Sequence, residues 1–343
     1  MSEEIKSAEE QENNAPASEN TEAAAEEQKP RVKLEKPVPP PMKKQVIFRL
    51  HNGEWSDVEE KETIEKEGFF KFIERELTKE GDLVTEVEFD GEGNELQRTN
   101  NVYNEQGKLV SHELFNEGQP AEKVTYKYDD KNRVSEETRQ FEEGFPLTTF
   151  FTYDSEDRVI EKRVDDEDGE LQKRETFEYH PTWKDKVVKH VVTDEDGKVS
   201  LEETTEYEER NDEVKIKRLI VQDKSFGTYR RTEFFDPRSR EDGIAYATYN
   251  EKDKVIEYVK VVYDEEGREA EEHSVSVNDS DNFKVIYTYD EYDRPIAQEQ
   301  HQQDRIISKI NRRFGKEGNP HVIAIRSFSR GMYVDLFEYE YYS

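Results

Sequence analysis

The sequence predicts an all-β chain: an elongated antiparallel β-meander of tandem hairpin repeats in one twisted, open or curled sheet, preceded by a disordered N-terminal arm. Three observations carry this. Nine aromatics, Tyr103, Tyr128, Tyr153, Tyr179, Tyr207, Phe235, Tyr263, Tyr289 and Phe314, recur about every 26 residues, the period of stacked units that cannot bury an apolar face alone. Turn residues recur about every 12 to 14 positions, as at Asp194-Glu195-Asp196-Gly197 and Asn250-Glu251-Lys252-Asp253, which leaves strands of about nine and makes each repeat a hairpin. Between turns the pattern alternates, with Val124, Tyr126 and Tyr128 set against Thr125 and Lys127, and Phe337, Tyr339 and Tyr341 against Glu338 and Glu340. Period two gives each strand one apolar face.

Taken in order, residues 1–44 are rich in Glu, Ala, Ser, Asn and Pro and end in Pro37-Val38-Pro39-Pro40-Pro41, a disordered acidic arm stiffening into a polyproline tether. Residues 45–80 form an opening hairpin. Its first strand is Val46-Ile47-Phe48-Arg49-Leu50, and His51-Asn52-Gly53 turns the chain toward Trp55. Ser56-Asp57-Val58-Glu59 reads as a capping box and starts a short helix from Asp57 to about Lys66, with a strand as the alternative because of Thr63 and Ile64. Phe69 to Ile73 is the first strand of the repeat body. Residues 81–320 hold the hairpin repeats, and 321–343 form a C-terminal capping hairpin, because terminal repeats must close a stack.

The clearest copies read Tyr126-x-Tyr128-Asp129-x-x-Asn132-Arg133-Val134, Phe151-x-Tyr153-Asp154-x-x-Asp157-Arg158-Val159, Tyr263-Asp264-x-x-Gly267-Arg268 and Tyr287-x-Tyr289-Asp290-x-x-Asp293-Arg294. In each, the Asp accepts backbone hydrogen bonds two residues on. The residue four after the aromatic is Gly, Asn or Asp, types that tolerate a left-handed backbone, so each copy ends a strand in a tight loop with a bulge. The pattern resembles the YD repeat of Rhs-type proteins, which build long β-sheet shells. The likeness runs from about Phe89 to Pro320 and identifies the chain as a short Rhs-like member without a toxin domain.

Composition bounds function. Of 343 residues, 32% are hydrophobic and 39% charged, and the net charge is -32, too little apolar material for a conventional layered core and suited to a thin sheet. About 18 strands spaced roughly 4.8 Å apart would extend about 85 Å. Acidic residues spread along the repeats argue against nucleic acid as a partner, since phosphate contacts need clustered cations; a basic protein partner or a merely solvated surface fits them instead. There are no cysteines, so thiolate metal sites and disulfides are excluded. No membrane span and no secretory leader is evident, and a cytoplasmic location is the default expectation.

No site with recognisable chemistry emerges. Asp166-Glu167-Asp168-Gly169-Glu170 and Asp194-Glu195-Asp196-Gly197 resemble fragments of a calcium loop, but that register puts Val164 and Val192 at the first ligand position, and plain acidic turns fit better. The seven histidines are scattered and no catalytic fingerprint appears. The expectation is therefore no enzyme, no cofactor and no metal. The aromatic ladder is read as structural. Partner contact is assigned to Trp183, in a bulkier turn that departs from the repeat, and to the basic closing segments, Arg312, Arg313, Lys316, Arg326 and Arg330, which serve either capping or docking, self-association included. The function expected is a non-enzymatic elongated scaffold that binds protein through its sheet face and terminal repeats. The alternative is a small Rhs-like secreted or surface protein that binds glycan or wraps a client.

Overall fold

The computed structural model describes residues 34–343 apart from 60, 62, 279–281 and 304, so most of the expected arm lies outside the described residues. The strands are β1 (Met42–His51), β2 (Phe70–Leu77), β3 (Leu83–Phe89), β4 (Glu95–Tyr103), β5 (Leu109–Asn116), β6 (Gln119–Tyr128) and β7 (Val134–Phe141). They continue with β8 (Leu147–Tyr153), β9 (Val159–Asp165), β10 (Leu171–Tyr179), β11 (Val187–Asp194), β12 (Val199–Arg210), β13 (Glu213–Asp223), β14 (Thr228–Phe234) and β15 (Ile244–Tyr249). The last are β16 (Val255–Tyr263), β17 (Glu269–Ser276), β18 (Phe283–Tyr289), β19 (Pro295–Gln302), β20 (Arg305–Phe314), β21 (Pro320–Ser327) and β22 (Gly331–Tyr341).

Every strand pairs antiparallel with the strands before and after it, and β22 pairs with β1. The all-β antiparallel reading stands, but the open or curled single sheet does not: the 22 strands close into a barrel. The physical reason is an edge problem. An open sheet would leave the backbone groups of β1 and β22 unpaired, whereas the accumulated twist of successive strands carries the two ends together. Their sequences match. Val46, Ile47 and Phe48 face Glu338, Phe337 and Leu336 across the seam. Arg49 clamps Asp335 with two hydrogen bonds of 2.8 Å, and its guanidinium is sandwiched between Phe72, 3.5 Å away, and Tyr333, 4.0 Å away.

The seam is also where the core sits. Val58, Val322, Ala324, Val334 and Leu336 form one buried cluster, flanked by Phe48, Leu50, Trp55, Ile64 and Phe69. The segment between β1 and β2 folds back over the wall to make it. Where a helix from Asp57 is expected, the chain forms one 3-10 turn, Trp55–Asp57, closed by Asp57 Oδ2 accepting the Glu54 N–H at 2.7 Å.

Elsewhere the wall is one layer thick. The ladder face carries the tyrosines with Val124, Val259, Val261 and Val285 buried among them, but most strand residues on both faces stay half-exposed, so no second layer fills the ring. With 22 strands spaced ~4.8 Å apart, the perimeter is about 106 Å and the backbone diameter at least about 34 Å. Charge pairs lie on both faces of the wall. Lys127–Glu136 (2.5 Å) and Lys189–Glu202 (3.1 Å) lie on one face, and Lys173–Glu175 (2.7 Å) and Arg139–Glu122 (3.2 Å) on the other. Neither face is therefore the unbroken apolar band that lipid-facing strands carry.

The cytoplasmic placement is corrected with the open sheet. It rested on the lack of a long apolar run, and a closed antiparallel barrel is the one architecture that crosses a membrane, as outer-membrane proteins do, without such a run. Among the described residues no helix is long and apolar enough to span a bilayer.

Candidate functional site

The barrel has two rims, and the repeat chemistry gathers at one. The ladder rim is where even-numbered strands end and odd-numbered strands begin. At Tyr103, Tyr128, Tyr153, Tyr179, Tyr207, Tyr263, Tyr289 and Phe314 the strand register slips by a residue, and Phe235 stands just past the end of β14. The left-handed residue follows four positions later, at Asn132 (φ 61°), Asp157 (φ 62°), Gly267 (φ 77°) and Asp293 (φ 56°), as a bulged hairpin loop requires.

Six of the ladder tyrosines reach back one strand. The hydroxyls of Tyr103, Tyr128, Tyr153 and Tyr179 donate to the carbonyls of Leu83 (2.7 Å), Leu109 (2.7 Å), Val134 (2.8 Å) and Val159 (2.8 Å). Tyr207 and Tyr289 do the same to Val187 (3.0 Å) and Glu269 (2.7 Å). Every acceptor is the first residue of the preceding strand. At the seam Tyr339 donates to Pro320 O (2.7 Å), and Tyr342 reaches over β1 to Leu77 O (2.6 Å).

The turns reach forward. Asp129 Oδ1 accepts the N–H groups of Lys131 and Arg133, both at 2.9 Å, while Oδ2 accepts Arg133 Nε at 2.8 Å; Asp154, Asp264 and Asp290 hold Arg158, Arg268 and Arg294 likewise. Each guanidinium then lies over the next ladder ring. Arg133 is 4.2 Å from Tyr153, Arg158 4.5 Å from Tyr179, Arg268 4.8 Å from Tyr289 and Arg294 4.3 Å from Phe314. Neighbouring repeats are thus joined by a hydroxyl backward and a cation forward.

The electrostatics follow from these contacts. The guanidinium hydrogen bond holds the carboxyls of Asp129 and Asp154 below their ordinary range. At Asp264 and Asp290 burial pushes upward, but the backbone N–H and guanidinium of Arg268 and Arg294 outweigh it and the net direction is down. Burial raises the ladder phenols, among them Tyr128, Tyr153 and Tyr179.

The residues assigned to partner contact do not come together. Trp183 is folded into the ladder rim: its ring stacks on His180 at 4.3 Å, its backbone N–H donates to His180 Nδ1 at 3.0 Å, and the neighbouring Lys184 carbonyl accepts Arg158 Nη1 at 2.8 Å. Arg312 and Arg313 are consecutive on β20 and point to opposite faces. Arg313 Nη1 donates to the carbonyls of Val58 (3.0 Å) and Lys61 (2.9 Å), so it fastens the folded-back segment. Lys316 sits in a ladder-rim turn, while Arg326 and Arg330 stand exposed at the far rim. The acidic turns close on themselves, Asp166 Oδ1 accepting the N–H groups of Asp168 (3.1 Å) and Glu170 (2.8 Å). Among the described residues no group of three or more His, Cys, Asp or Glu is arranged to hold a metal ion.

One wall patch was not singled out by sequence. On the ladder face of β15 to β20, Tyr246 donates to Glu257 (3.3 Å). Glu272 is raised by burial and by the charge of Glu269, and Tyr287 is raised first by burial and then by the charge of Glu272, against the opposing pull of Arg312. Burial in turn lowers Arg312, whose Nη1 is buried with no hydrogen-bond partner. Acid, phenol and guanidinium here share a floor of Val259, Ser274 and Val285, all buried. The alternation of β17, β18 and β20 places them on one face, but only the pairing register sets them near one another.

No family model matches this chain, and no curated protein matches it. Among solved structures it is similar to the TcdB2-TccC3-Cdc42 complex, at 11% identity over 77% of this chain and 16% of that one, with a TM-score of 0.31. The pore of the Photorhabdus luminescens Tc holotoxin gives 10% identity over 79% of this chain and 16% of that one, at 0.30. A porin-like protein from Bacteroides uniformis gives 12% identity over 88% and 99%, also at 0.31. This chain spans only a small part of the length of the toxin chains it matches, and at these scores none of the likenesses assigns a role.

Proposed function

We propose that this protein is a non-enzymatic binding barrel that holds a protein client on the ladder face of its wall, over β15 to β20. The observation that carries the reading is the unfilled ring. A wall one layer thick, half-exposed on both faces, leaves room that no element of the described chain occupies. The ladder rim consumes its own hydrogen-bonding groups, whereas Glu272, Tyr287 and Arg312 retain theirs beside an apolar floor, the mixture of aromatic, acid and guanidinium that favours protein recognition.

The test is recovery of the tagged full chain from its own cells at low and high salt, beside an E272Q/Y287F/R312Q variant, with the bound proteins quantified by mass spectrometry. A stoichiometric partner that weakens with salt and disappears with the variant supports the proposal. An identical set on both proteins, or none on either, ends it.

A further inference from the structure

The far rim differs from the ladder rim in a way that the client reading does not use. Phe145, Phe226 and Phe328, in three of its turns, are 69%, 82% and 96% exposed. Among the described residues the ladder-rim turns leave no aromatic exposed. Charge on the far rim is also uneven, a short basic pole against a longer acidic one. Arg305, Arg326 and Arg330 flank Phe328 and the half-exposed Ile306, in a chain whose net charge is -32. The acidic pole is longer and runs through the turns after β3, β5, β7, β9 and β11, where Glu92, Glu117, Glu143, Glu167 and Glu195 stand exposed. Its middle, the turn after β7, and the turn after β21 are eight strands apart one way and fourteen the other in the 22-strand ring, so the two poles occupy different sides of it. The acidic segment after β1 does not blur this, because it folds away from the rim along the wall to reach Val322 and Arg313.

We propose that the far rim pairs with the far rim of a second copy of this chain. A twofold axis lying in the rim plane between the poles exchanges them, so that Arg326 and Arg330 of each copy meet the acidic turns of the other. One isologous contact then satisfies both poles at once, and the phenylalanines supply the apolar part. A strip about 10 Å wide along the ~106 Å perimeter offers about 1,000 Å² per copy, enough for a stable interface. An unrelated acidic partner would leave the acidic pole unmatched, and an anionic membrane surface would be repelled by it. The assembly is one barrel of double length with a ladder rim at each end.

The experiment is the mass of the full chain by light scattering at low and high salt, with two charge-reversed variants, R326E/R330E and E143K/E167K/E195K. None of these five side chains takes part in the ladder or the seam, and unchanged unfolding midpoints confirm intact folds. The expected result is twice the chain mass at low salt, loss of dimer at high salt as the charges are screened, monomer for each variant alone, and dimer restored when the two variants are mixed. A monomer under all conditions overturns the proposal, as does a dimer that neither variant weakens. The same holds if the chain stays monomeric but sediments with phosphatidylcholine vesicles and F226S/F328S abolishes that, an outcome that would assign the rim to a lipid surface.

Discussion

The two rims are built from the same hairpins and do opposite things with their aromatics. On the ladder rim Tyr153, Tyr179 and Tyr289 are engaged twice, the hydroxyl tied to the preceding strand and the face covered by the arginine of the preceding ladder turn, and the other ladder tyrosines at least once. On the far rim Phe226 and Phe328 touch little and face solvent. An aromatic in a turn therefore contributes to the fold only where the turn chemistry supplies it with partners. The period that made the first set conspicuous in sequence marks bonding between repeats, and its absence in the second set marks freedom from it.

The comparison can be broken or sharpened by substitution. The largest effect belongs to the seam, which sets the scale for both rims: Asp335→Ala strands the Arg49 guanidinium among side chains that are mostly buried and is expected to cost about 3 to 5 kcal/mol, read from denaturant unfolding. A loss under ~1 kcal/mol would mean that the ring does not depend on its closure. Next comes the ladder rim. Asp290→Ala removes the acceptor of two backbone N–H groups and the hold on Arg294, expected at about 2 to 3 kcal/mol, whereas Tyr153→Phe removes one hydroxyl bond, about 1 kcal/mol. Smallest is the far rim, where Phe226→Ser should change stability by no more than about 0.5 kcal/mol. If Phe226→Ser cost as much as Tyr153→Phe, the distinction between the rims would be lost.

pH sharpens the same contrast. The ladder-rim aspartates are held below their ordinary value of 3.8, so their contribution is present above that pH and is lost as pH falls through the lower native values. The ladder phenols are raised above 10.0, so theirs is present below that pH and is lost as pH rises through the higher native values. Amide hydrogen exchange should show the ladder rim loosening below about pH 3.8 and above about pH 10, while protection at the far rim changes less. Equal loosening of the two rims at both extremes would refute the assignment.

What sequence made legible was whatever is local. Tyr128, Asp129 and Asn132 sit within five residues of one another, and their turn follows from backbone preferences alone. The closure was hidden because Arg49 and Asp335 are 286 positions apart and neither stands out from its surroundings; only the similarly apolar character of the first and last strands hinted at it. The residues assigned to partner contact are scattered for a different reason. Arg312 and Arg313 look like one basic patch in sequence, yet period two sends them to opposite faces, and that alternation was readable. Trp183 looked like a departure from the repeat and is instead drawn into it by His180, a neighbour three positions away. The patch at Glu272, Tyr287 and Arg312 could not be read, because it depends on the lateral register of β17 to β20.

The coupling of each repeat only to its neighbours has a consequence for how such a molecule can change. A hoop fastened link by link has no preferred girth: an added repeat brings two strands, its own backward hydroxyl and its own forward arginine, and widens the circumference by about 9.6 Å while leaving every other link as it was. Duplication or loss of a whole repeat would resize the ring at little cost, and only the clasp formed by Arg49, Asp335 and Tyr342 would have to be kept.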